Sequence, residues 1–373
     1  MASQSPCPRI IIDSGTGFVK AGLSGLRNEP TAITPSTDDV WLRHFWAEES
    51  PSYFEREKRE SIVNFEALEK LWSISLAKLK VDVTQHDVIL TESELNVVRD
   101  RATMAQIMFE RYGVPGLYIG NESALSLLSH WLRTGVVVDC GHLVTTIAVI
   151  YNGQRCLLSN TILNYGGRNV TMRLLSDLVK SGYNQLNPRN MAHVREVQRI
   201  KETLACLSCN YDEVVRFPDR MDPVQFPCQM VKGKVVNIRH ERFACAQGLF
   251  RPDMFGKSDE GIAEAIHYDV EKYNPELQAT LYSNIFLCGG GSMLLTFQEK
   301  LTAHLERLKR RHEEVRVAAE LYREYSAFVG ANNLVNKRPD ILKKLTVTRS
   351  EYQEEGVRAF ERKLSHKALF VFK

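Results

Sequence analysis

A short stretch near the N-terminus combines one carboxylate, two hydroxyls, two glycines and one lysine. The isoleucines at residues 10–12 predict a buried strand, which would fix the position of the carboxylate that follows. The residues that come next are Asp13, Ser14, Gly15, Thr16 and Gly17, with Lys20 on the return strand. Glycine permits the tight turn, and phosphate oxygens accept hydrogen bonds from backbone N–H groups, hydroxyls and ammonium groups. The pattern predicts a phosphate-binding turn, although short motifs recur by accident and a glycine-rich hairpin without a ligand is the alternative.

A second turn of the same kind follows the valines at residues 136–138. It begins with Asp139 and continues through Cys140 to Gly141. Two such Asp-x-Gly turns facing each other would clamp a polyphosphate, and Asp13 and Asp139 would hold a hydrated divalent cation between them. A third element ends an apolar strand in the small residues Gly289, Gly290, Gly291 and Ser292. Such backbone can approach a flat ring or a phosphate at a helix N-terminus, or it can be a plain strand-to-helix turn.

The elements that must position these turns alternate between strand and helix patterns. Residues 9–23 predict strand, turn and strand, and the same unit recurs from residue 136 to Tyr151 before a hairpin at Asn152 and Gly153. Four helical faces are predicted, by Phe65, Leu68, Trp72, Leu76 and Leu79; by Val98, Ala102, Ala105 and Phe109; by Val197, Ile200, Leu204 and Leu207; and by Phe297, Leu301, Leu305 and Leu308. The order predicts an α/β protein with two duplicated domains.

Composition and charge exclude several classes of protein. The chain has 373 residues, of which 44% are hydrophobic and 25% are charged, as is usual for a globular protein of two domains. A net charge of +3 is too small to indicate nucleic acid as a partner. The polar start of the chain predicts no signal peptide, no apolar stretch predicts a membrane span, and eight cysteines in this context predict reduced thiols. We therefore expect the cytoplasm, with the nucleus as an open alternative.

These motifs, taken in order, resemble the actin family along nearly the whole chain. The residues that carry the resemblance are the turn at 13–22, Ile89 to Glu92 with Leu95 and Asn96, residues 105–110, residues 125–127, Tyr165 to Arg168, Ile200 to Glu202, Gly289 and Gly290 with Met293, and Tyr325 with Ser326. The resemblance implies the actin-like ATPase fold, in which two duplicated α/β domains surround a nucleotide cleft. It implies ATP or ADP with Mg²⁺ as the cofactor.

Residue by residue, the resemblance also implies a binding site and a division into domains. The implied nucleotide-binding residues are Asp13, Ser14, Gly15, Thr16, Gly17, Lys20, Asp139, Gly141, Gly167, Lys201, Glu202, Gly289, Gly290, Gly291, Ser292 and Met293, with Asp13 and Asp139 holding Mg²⁺ through water. A small domain would comprise residues 1–130 and 324–373, and a large domain residues 131–323. The accessory segment at residues 36–61 is shorter than in conventional actins, so self-assembly through it is not expected.

Several positions depart from the family pattern. His142 stands in place of an aspartate near the cation, Thr146 in place of a histidine, and Glu122 in place of the glutamine that orients the attacking water. On the purine side, the substituted residues are Leu294, Gln198 and Glu324. Glu122 could be a general base, but the loss of cation-holding and water-holding residues together favours a protein with weak or no hydrolysis.

The function that this resemblance implies is that of a divergent actin-related protein, an ATP- or ADP-binding structural subunit of a cytoskeletal or motor-associated complex. Its partners would be other proteins, with actin and actin-related subunits as candidates, and neither a membrane nor nucleic acid is expected. Two alternatives stay open: an ATP-hydrolysing actin-like filament former, and a nuclear actin-related subunit of a chromatin-remodelling complex. The aromatic residues of segment 36–61 and the apolar tail at residues 365–373 are candidate docking segments.

Overall fold

A computed structural model describes residues 7–25, 27–36, 63–93, 96, 98–217, 226–230, 235–309 and 314–365. The strands are β1 Ile10–Ser14, β2 Phe18–Leu23, β3 Ala32–Pro35, β4 Val88–Glu92, β5 Gly116–Asn121, β6 Gly135–Cys140, β7 Thr145–Tyr151, β8 Gln154–Leu163, β9 Phe226–Gln229, β10 Val235–Ile238, β11 Ile285–Cys288, β12 Val317–Ala318 and β13 Val347–Thr348. The structure is mixed α/β, so the predicted fold class is confirmed.

Apart from short 3₁₀ and π-helical segments, the helices are α-helices, and they follow most of the strands. They are α1 Phe65–Leu79, α2 Val98–Gln106, α3 Glu122–Leu128, α4 Gly167–Lys180, α5 Met191–Leu204, α6 Tyr211–Arg216, α7 Glu241–Gln247, α8 Ile262–Glu271, α9 Pro275–Tyr282, α10 Phe297–Leu308, α11 Ser326–Lys337, α12 Pro339–Leu345, α13 Arg349–Glu355 and α14 Arg358–Ser365. The first predicted helix is capped at its start by Asn64, whose side chain accepts from the backbone N–H of Ala67.

The described residues divide into two compact units. The first comprises residues of Met1–Val137, Ala148–Asn160 and Tyr325–Lys373, and the second residues of Val138–Ile147 and Thr161–Glu324. Three separate stretches of chain therefore complete the first unit. No helix within the described ranges is both long enough and apolar enough to cross a membrane. The accessory segment predicted at residues 36–61 lies, apart from Ser36, outside the described residues, and so do residues 366–373 of the predicted tail.

The first unit contains a six-stranded sheet with the order β13-β5-β4-β1-β2-β3. Its central strand β1 is parallel to β4 and antiparallel to β2, and β4 is parallel to β5. The isoleucines of β1 are fully buried, as the apolar run predicted. Because β1, β4 and β5 point the same way, the residues at their carboxyl ends lie along one edge of the sheet.

Helices α3 and α11 pack against each other and against this sheet. The closest approach is at Gly330 of α11, where a Cβ would lie 1.8 Å from the carbonyl oxygen of Leu125 in α3. Phe328, on the same helix, is fully buried in a core that includes Ile11 of β1 and Ile89 of β4. The C-terminal part of the chain therefore completes the core that the N-terminal strands begin.

A five-stranded sheet has the order β12-β11-β6-β7-β8. Strands β6 and β7 with the turn between them repeat the β1–β2 unit, as the duplication in the sequence predicted. The hairpin to β8 turns through Asn152 and Gly153, both with positive φ (52° and 78°). A separate antiparallel pair consists of β9 and β10.

One predicted helix ends earlier than the apolar spacing indicated. The pattern through Val197, Ile200 and Leu204 predicted a helical Leu207, but α5 ends at Leu204 and Ala205 is extended. The backbone N–H of Leu207 instead donates to the carbonyl oxygen of Leu295 at 3.0 Å. Leu207 is therefore buried against another part of the chain and not on the face of a helix. The helical spacing of apolar residues cannot predict such a contact.

Helix α10 in the second unit carries a buried lysine and a pH-sensitive histidine. Lys300 Nζ donates to the carbonyl oxygen of Ser208 at 2.5 Å and to Gln247 Oε1 at 2.6 Å. One turn later, the His304 ring packs edge-on against Phe250, with ring centres 5.2 Å apart. Burial, with the nearby cations of Arg307 and Lys300, lowers the pKa of His304 to about 4.

This pKa predicts an acid-sensitive contribution to stability. The pKa in the folded state lies below the ordinary value of 6.5, so the unfolded chain binds the proton more tightly. Stability is therefore retained above pH 6.5 and lost as the pH falls towards 4. Because the ring is partly exposed and solvent screens its charge, we expect the free energy of unfolding to fall by only about 1–2 kcal/mol over this pH range. In urea titrations at several pH values, His304→Phe should lack this component; parallel pH profiles for the two proteins would contradict the assignment.

Candidate functional site

Asp13 and Lys20 lie opposite each other in the register of the first hairpin. Lys20 Nζ is 3.1 Å from Asp13 Oδ2, and the side chains are 15% and 4% exposed. The other carboxylate oxygen, Oδ1, accepts a hydrogen bond of 2.8 Å from the hydroxyl of Thr91 at the end of β4. The carboxylate is therefore fixed on both oxygens at the carboxyl edge of the sheet.

Ser14, the next residue, is also bound on two sides. Its backbone N–H donates to Thr91 Oγ1 at 3.3 Å, and its side-chain oxygen accepts from Trp72 Nε1 at 2.9 Å. The turn then closes tightly, because the N–H of Gly15 donates to the carbonyl oxygen of Phe18 at 3.1 Å. Thr16 and Gly17 are half-buried.

This half of the predicted site can attract an anion. The Lys20 ammonium lies 5.8 Å from the centre of the Tyr325 ring, so an aromatic face shields it on one side. A cation held beside a turn of small residues can attract an anion that approaches the turn. The structure thus brings Asp13, Ser14, Gly15 and Lys20 together as the sequence predicted.

Glu122, the predicted catalytic candidate, is the first residue of α3. The preceding residue, Asn121, caps the helix by accepting from the N–H of Ala124 at 3.0 Å, so Glu122 follows directly after the end of β5. It shares the carboxyl edge of the sheet with Asp13, two strands away, which corresponds to about 10 Å. On the intervening strand, Glu92 pairs with Arg101. A catalytic role for Glu122 stays a prediction.

In the second unit, three glycines around the β6–β7 turn bring backbone segments together. The N–H of Gly141 donates to the carbonyl oxygen of Val144, and the N–H of Gly167 donates to that of Gly141, both at 2.9 Å. A Cβ on Gly166 would lie 2.7 Å from the carbonyl oxygen of Gly141. Only glycine allows α4 to begin so close to the turn that Asp139 starts.

The triple glycine lies against the same turn. Gly289 has a φ of +80°, and a Cβ there would be 2.0 Å from Asp139 Oδ1 and 2.5 Å from the carbonyl oxygen of Cys140. A Cβ on Gly291 would be 2.6 Å from the sulfur of Cys140. Gly290 between them is exposed and faces open space. These residues form a backbone-lined surface, which we call the glycine cradle: Gly141, Gly166, Gly167, Gly289, Gly290 and Gly291.

Substitution of alanine for Gly289 should disturb this cradle strongly. The new methyl group would meet the Cys140 carbonyl, and the backbone conformation is one that only glycine adopts without strain. We expect the free energy of unfolding to fall by about 2–3 kcal/mol. Gly290→Ala, whose Cβ would meet nothing, is the matched control. Urea denaturation measures both, and equal midpoints for the two variants would contradict the cradle geometry.

Lys201 is a second cation in this unit. It is buried on α5, and Nζ donates to the carbonyl oxygen of Gly167 at 3.3 Å. Burial lowers the pKa of its ammonium, although nearby groups, Glu202 first among them, oppose the effect. Glu202 itself is exposed and accepts from Gln198 Nε2 at 2.8 Å. Burial raises the pKa of the Cys140 thiol, which lies against the cradle, to about 12. The thiol is therefore neutral.

Ser292 is held by an arginine that the sequence analysis did not identify. Arg323 Nε donates to Ser292 Oγ at 3.1 Å, and Nη2 donates to the Ser292 carbonyl oxygen at 2.7 Å. In return, the N–H of Gly289 donates to the carbonyl oxygen of Arg323 at 3.2 Å. Met293 and the buried Leu294 follow in the same turn. Arg323 therefore fixes the shape of the triple-glycine turn.

Three positioning residues were missed by the sequence analysis. Thr91 and Trp72 act on the Asp13–Ser14 corner, and Arg323 acts on Ser292. The strand pattern of residues 88–90 contained a signal for Thr91, because a hydroxyl at the end of a buried parallel strand lies at the functional edge. No local signal could identify Arg323, because its partner is 31 residues away.

The first unit offers a carboxylate, a lysine and a small-residue turn, and the second offers the glycine cradle. A family model described as Actin matches residues 4–214 and 195–365, which together cover nearly the whole chain. The chain therefore belongs to the actin family.

Proposed function

We propose that this chain binds ATP or ADP with Mg²⁺ and serves as a structural subunit of a larger cytoskeletal or motor-associated assembly. The observation that carries the proposal is the fixed Asp13–Lys20–Thr91 cluster beside a small-residue turn. A cation and a carboxylate held in this way at a strand end are suited to a phosphate and its counter-cation. Family membership supports the choice of an adenine nucleotide.

The residues fit such a ligand in each unit taken by itself. In the first, the Lys20 ammonium would bind phosphate oxygens, and Asp13 would hold water of the hydrated cation. In the second, the glycine cradle leaves open space at Gly290 where side chains would otherwise stand. Within the described ranges, no group of three or more His, Cys, Asp or Glu is placed to bind a metal directly. A hydrated Mg²⁺ needs few protein ligands; the role of Asp139 stays a prediction.

The proposal includes slow or absent turnover. His142 and Thr146 stand where the family has residues that hold the cation and the attacking water, and Thr146 is buried in β7. Since water positioning and cation binding act together, losing both reduces hydrolysis more than either alone. Bound nucleotide would then stabilise the folded chain rather than drive cycles of assembly.

A second candidate function, an ATPase with Glu122 as general base, is favoured by one observation. Glu122 shares the sheet edge with Asp13 and Lys20, on the side where the phosphate would bind. A carboxylate within reach of a water molecule can accept its proton. Brisk phosphate release that Glu122→Gln abolishes, with nucleotide affinity retained, would establish this alternative and overturn the slow-turnover proposal.

Native mass spectrometry of the purified chain tests nucleotide binding directly. We expect an adduct with the mass of ATP or ADP that chelation of Mg²⁺ weakens and that added ATP restores. Phosphate release should be far slower than from conventional actin filaments. A wild-type protein that is empty, does not take up ATP and is not stabilised by it would refute the proposal.

Assembly with other proteins is the remaining part of the proposal. We propose protein partners, with actin and actin-related subunits as candidates, and a location in the cytoplasm and cytoskeleton. The supporting argument is the length of the segment at residues 36–61: specific interfaces bury on the order of 1,000 Å², and a shortened segment removes surface that a contact between copies of this chain would need. Sedimentation with ATP, Mg²⁺ and salt should give no polymer of the chain alone. Affinity purification would identify the partners and separate this function from a chromatin-associated one.

A further inference from the structure

Trp72 lies in the middle of α1 and is fully buried. Helix α1 packs on β2 and β3, and polar bonds fix its position there. Ser75 donates to Thr34 Oγ1 at 2.8 Å, and Lys78 Nζ donates to the same oxygen at 3.0 Å. The indole of Trp72 is thus held in a rigid frame, and its N–H reaches Ser14 Oγ at 2.9 Å.

Hydrogen-bond polarity at Ser14 follows from the chemistry of its partners. An indole nitrogen only donates, so Ser14 Oγ must accept this bond. The Thr91 hydroxyl donates to Asp13 and accepts from the Ser14 backbone N–H, so it does not need the Ser14 hydroxyl hydrogen. Within the part of the chain that the structure describes, that hydrogen has no acceptor. The half-buried Ser14 hydroxyl therefore remains a donor.

The hydrogen bond from Trp72 to Ser14 matters because a small cavity lies beside the Ser14 side chain. It is lined by Ser14 and Thr91 and, on the helix side, by Val63, Phe65 and Leu68. A serine hydroxyl rotates readily among three positions, and the cavity leaves room for it to turn. The bond from Trp72 removes that freedom and keeps the Ser14 oxygen in one place.

We propose that Trp72 is a positioning residue that holds the Ser14 hydroxyl as a hydrogen-bond donor for a phosphoryl oxygen of the nucleotide. The inference rests on the proposed nucleotide binding and names one specific determinant of it. When an anionic oxygen accepts from Ser14, the serine oxygen becomes a better acceptor, and the bond from Trp72 strengthens. Binding of phosphate therefore strengthens a contact of α1. An apolar ring at position 72 would fill the same space without making this hydrogen bond.

Equilibrium affinities for ATP, ADP and adenosine test the proposal in three variants: Trp72→Phe, Ser14→Ala and the double variant. Loss of one hydrogen bond of about 1 kcal/mol corresponds to about fivefold weaker binding. We expect Trp72→Phe to weaken ATP and ADP by about this factor and to leave adenosine unchanged. In the Ser14→Ala background, Trp72→Phe should have no further effect on ATP. Trp131→Phe, at an exposed tryptophan of the same unit, is the matched control.

A purely structural role for Trp72 would weaken all three ligands in parallel and would be additive with Ser14→Ala; either result would overturn the inference. A wild-type protein that binds none of the three refutes the proposed function, and this inference with it. If wild type binds ATP and Trp72→Phe binds it equally well, only the inference fails. Should Trp72→Phe not fold, the indole N–H resonance of Trp72 in the wild type decides. It should shift with ATP but not with adenosine, and an unshifted resonance would contradict the proposal.

Discussion

Replacing Lys20 with methionine should lower the affinity for ATP by about 100-fold, since a charge-assisted hydrogen bond contributes about 1.5–3 kcal/mol. Methionine keeps the length of the side chain but removes the ammonium that would meet the phosphate. It also leaves Asp13, only 4% exposed, without its cation. Removing one partner of a buried pair costs about 3 kcal/mol of stability. Equilibrium dialysis with ATP and thermal denaturation measure the two effects separately.

Lys70→Met is the control for this substitution. Lys70 pairs with Glu66 on the exposed face of α1, at 3.1 Å, with both side chains more than two-thirds exposed. Such a pair contributes little to stability, so nucleotide affinity and melting temperature should match the wild type. Unchanged ATP affinity in Lys20→Met would show that the ammonium does not contact the phosphate and would remove the main support for the proposed site.

A single methyl group at Gly330 should destabilise the first unit by about 3 kcal/mol or more. Alanine has the higher helix propensity, so the local effect in α11 would be stabilising by about 1 kcal/mol. The tertiary effect is opposite and larger, because a Cβ would lie 1.8 Å from the Leu125 carbonyl oxygen and helices α3 and α11 would have to separate. Urea denaturation followed by tryptophan fluorescence reports on this unit, because Trp72 and Trp131 belong to it.

Gly25→Ala in the same unit provides the comparison, since a Cβ there would meet no atom within 4 Å. Its unfolding midpoint should stay within experimental error of the wild type. A Gly330→Ala protein as stable as the wild type would mean that the two helices tolerate a wider separation than the structure shows.

The strands and helices that local patterns could predict are those whose partners lie nearby in sequence. Both strand–turn–strand units follow from apolar runs and glycine turns, and α1 and α10 follow from apolar spacing. The predicted end of α5 was wrong because the backbone of Leu207 is hydrogen-bonded to Leu295. The local spacing of apolar residues contains no information about such a contact. One pair of site residues was predictable for the same reason. Asp13 and Lys20 pair because a short turn places them opposite each other in the register of the hairpin.

The rest of the site depends on contacts between distant residues. Trp72 and Thr91 reach Ser14 and Asp13 from 58 and 78 positions away, through helix and sheet packing. Trp72 has an ordinary reason to be present, as an apolar core residue, so its type indicated no role in the site. For Thr91, the only indication was its place at the end of a buried parallel strand. Physical reasoning from the sequence could identify the groups that touch a ligand more readily than those that orient them.

The discontinuous first unit has a consequence for how the protein is made. Its apolar sheet face, with Ile11 and Ile89, is covered by Phe328 and the residues that follow, which leave the ribosome only after the second unit has been synthesised. At about 5–20 residues per second, the nascent chain keeps this face uncovered for roughly 10–50 s. That interval greatly exceeds the time of hydrophobic collapse. During translation, the apolar face of the N-terminal half is therefore open to premature association until α11 docks.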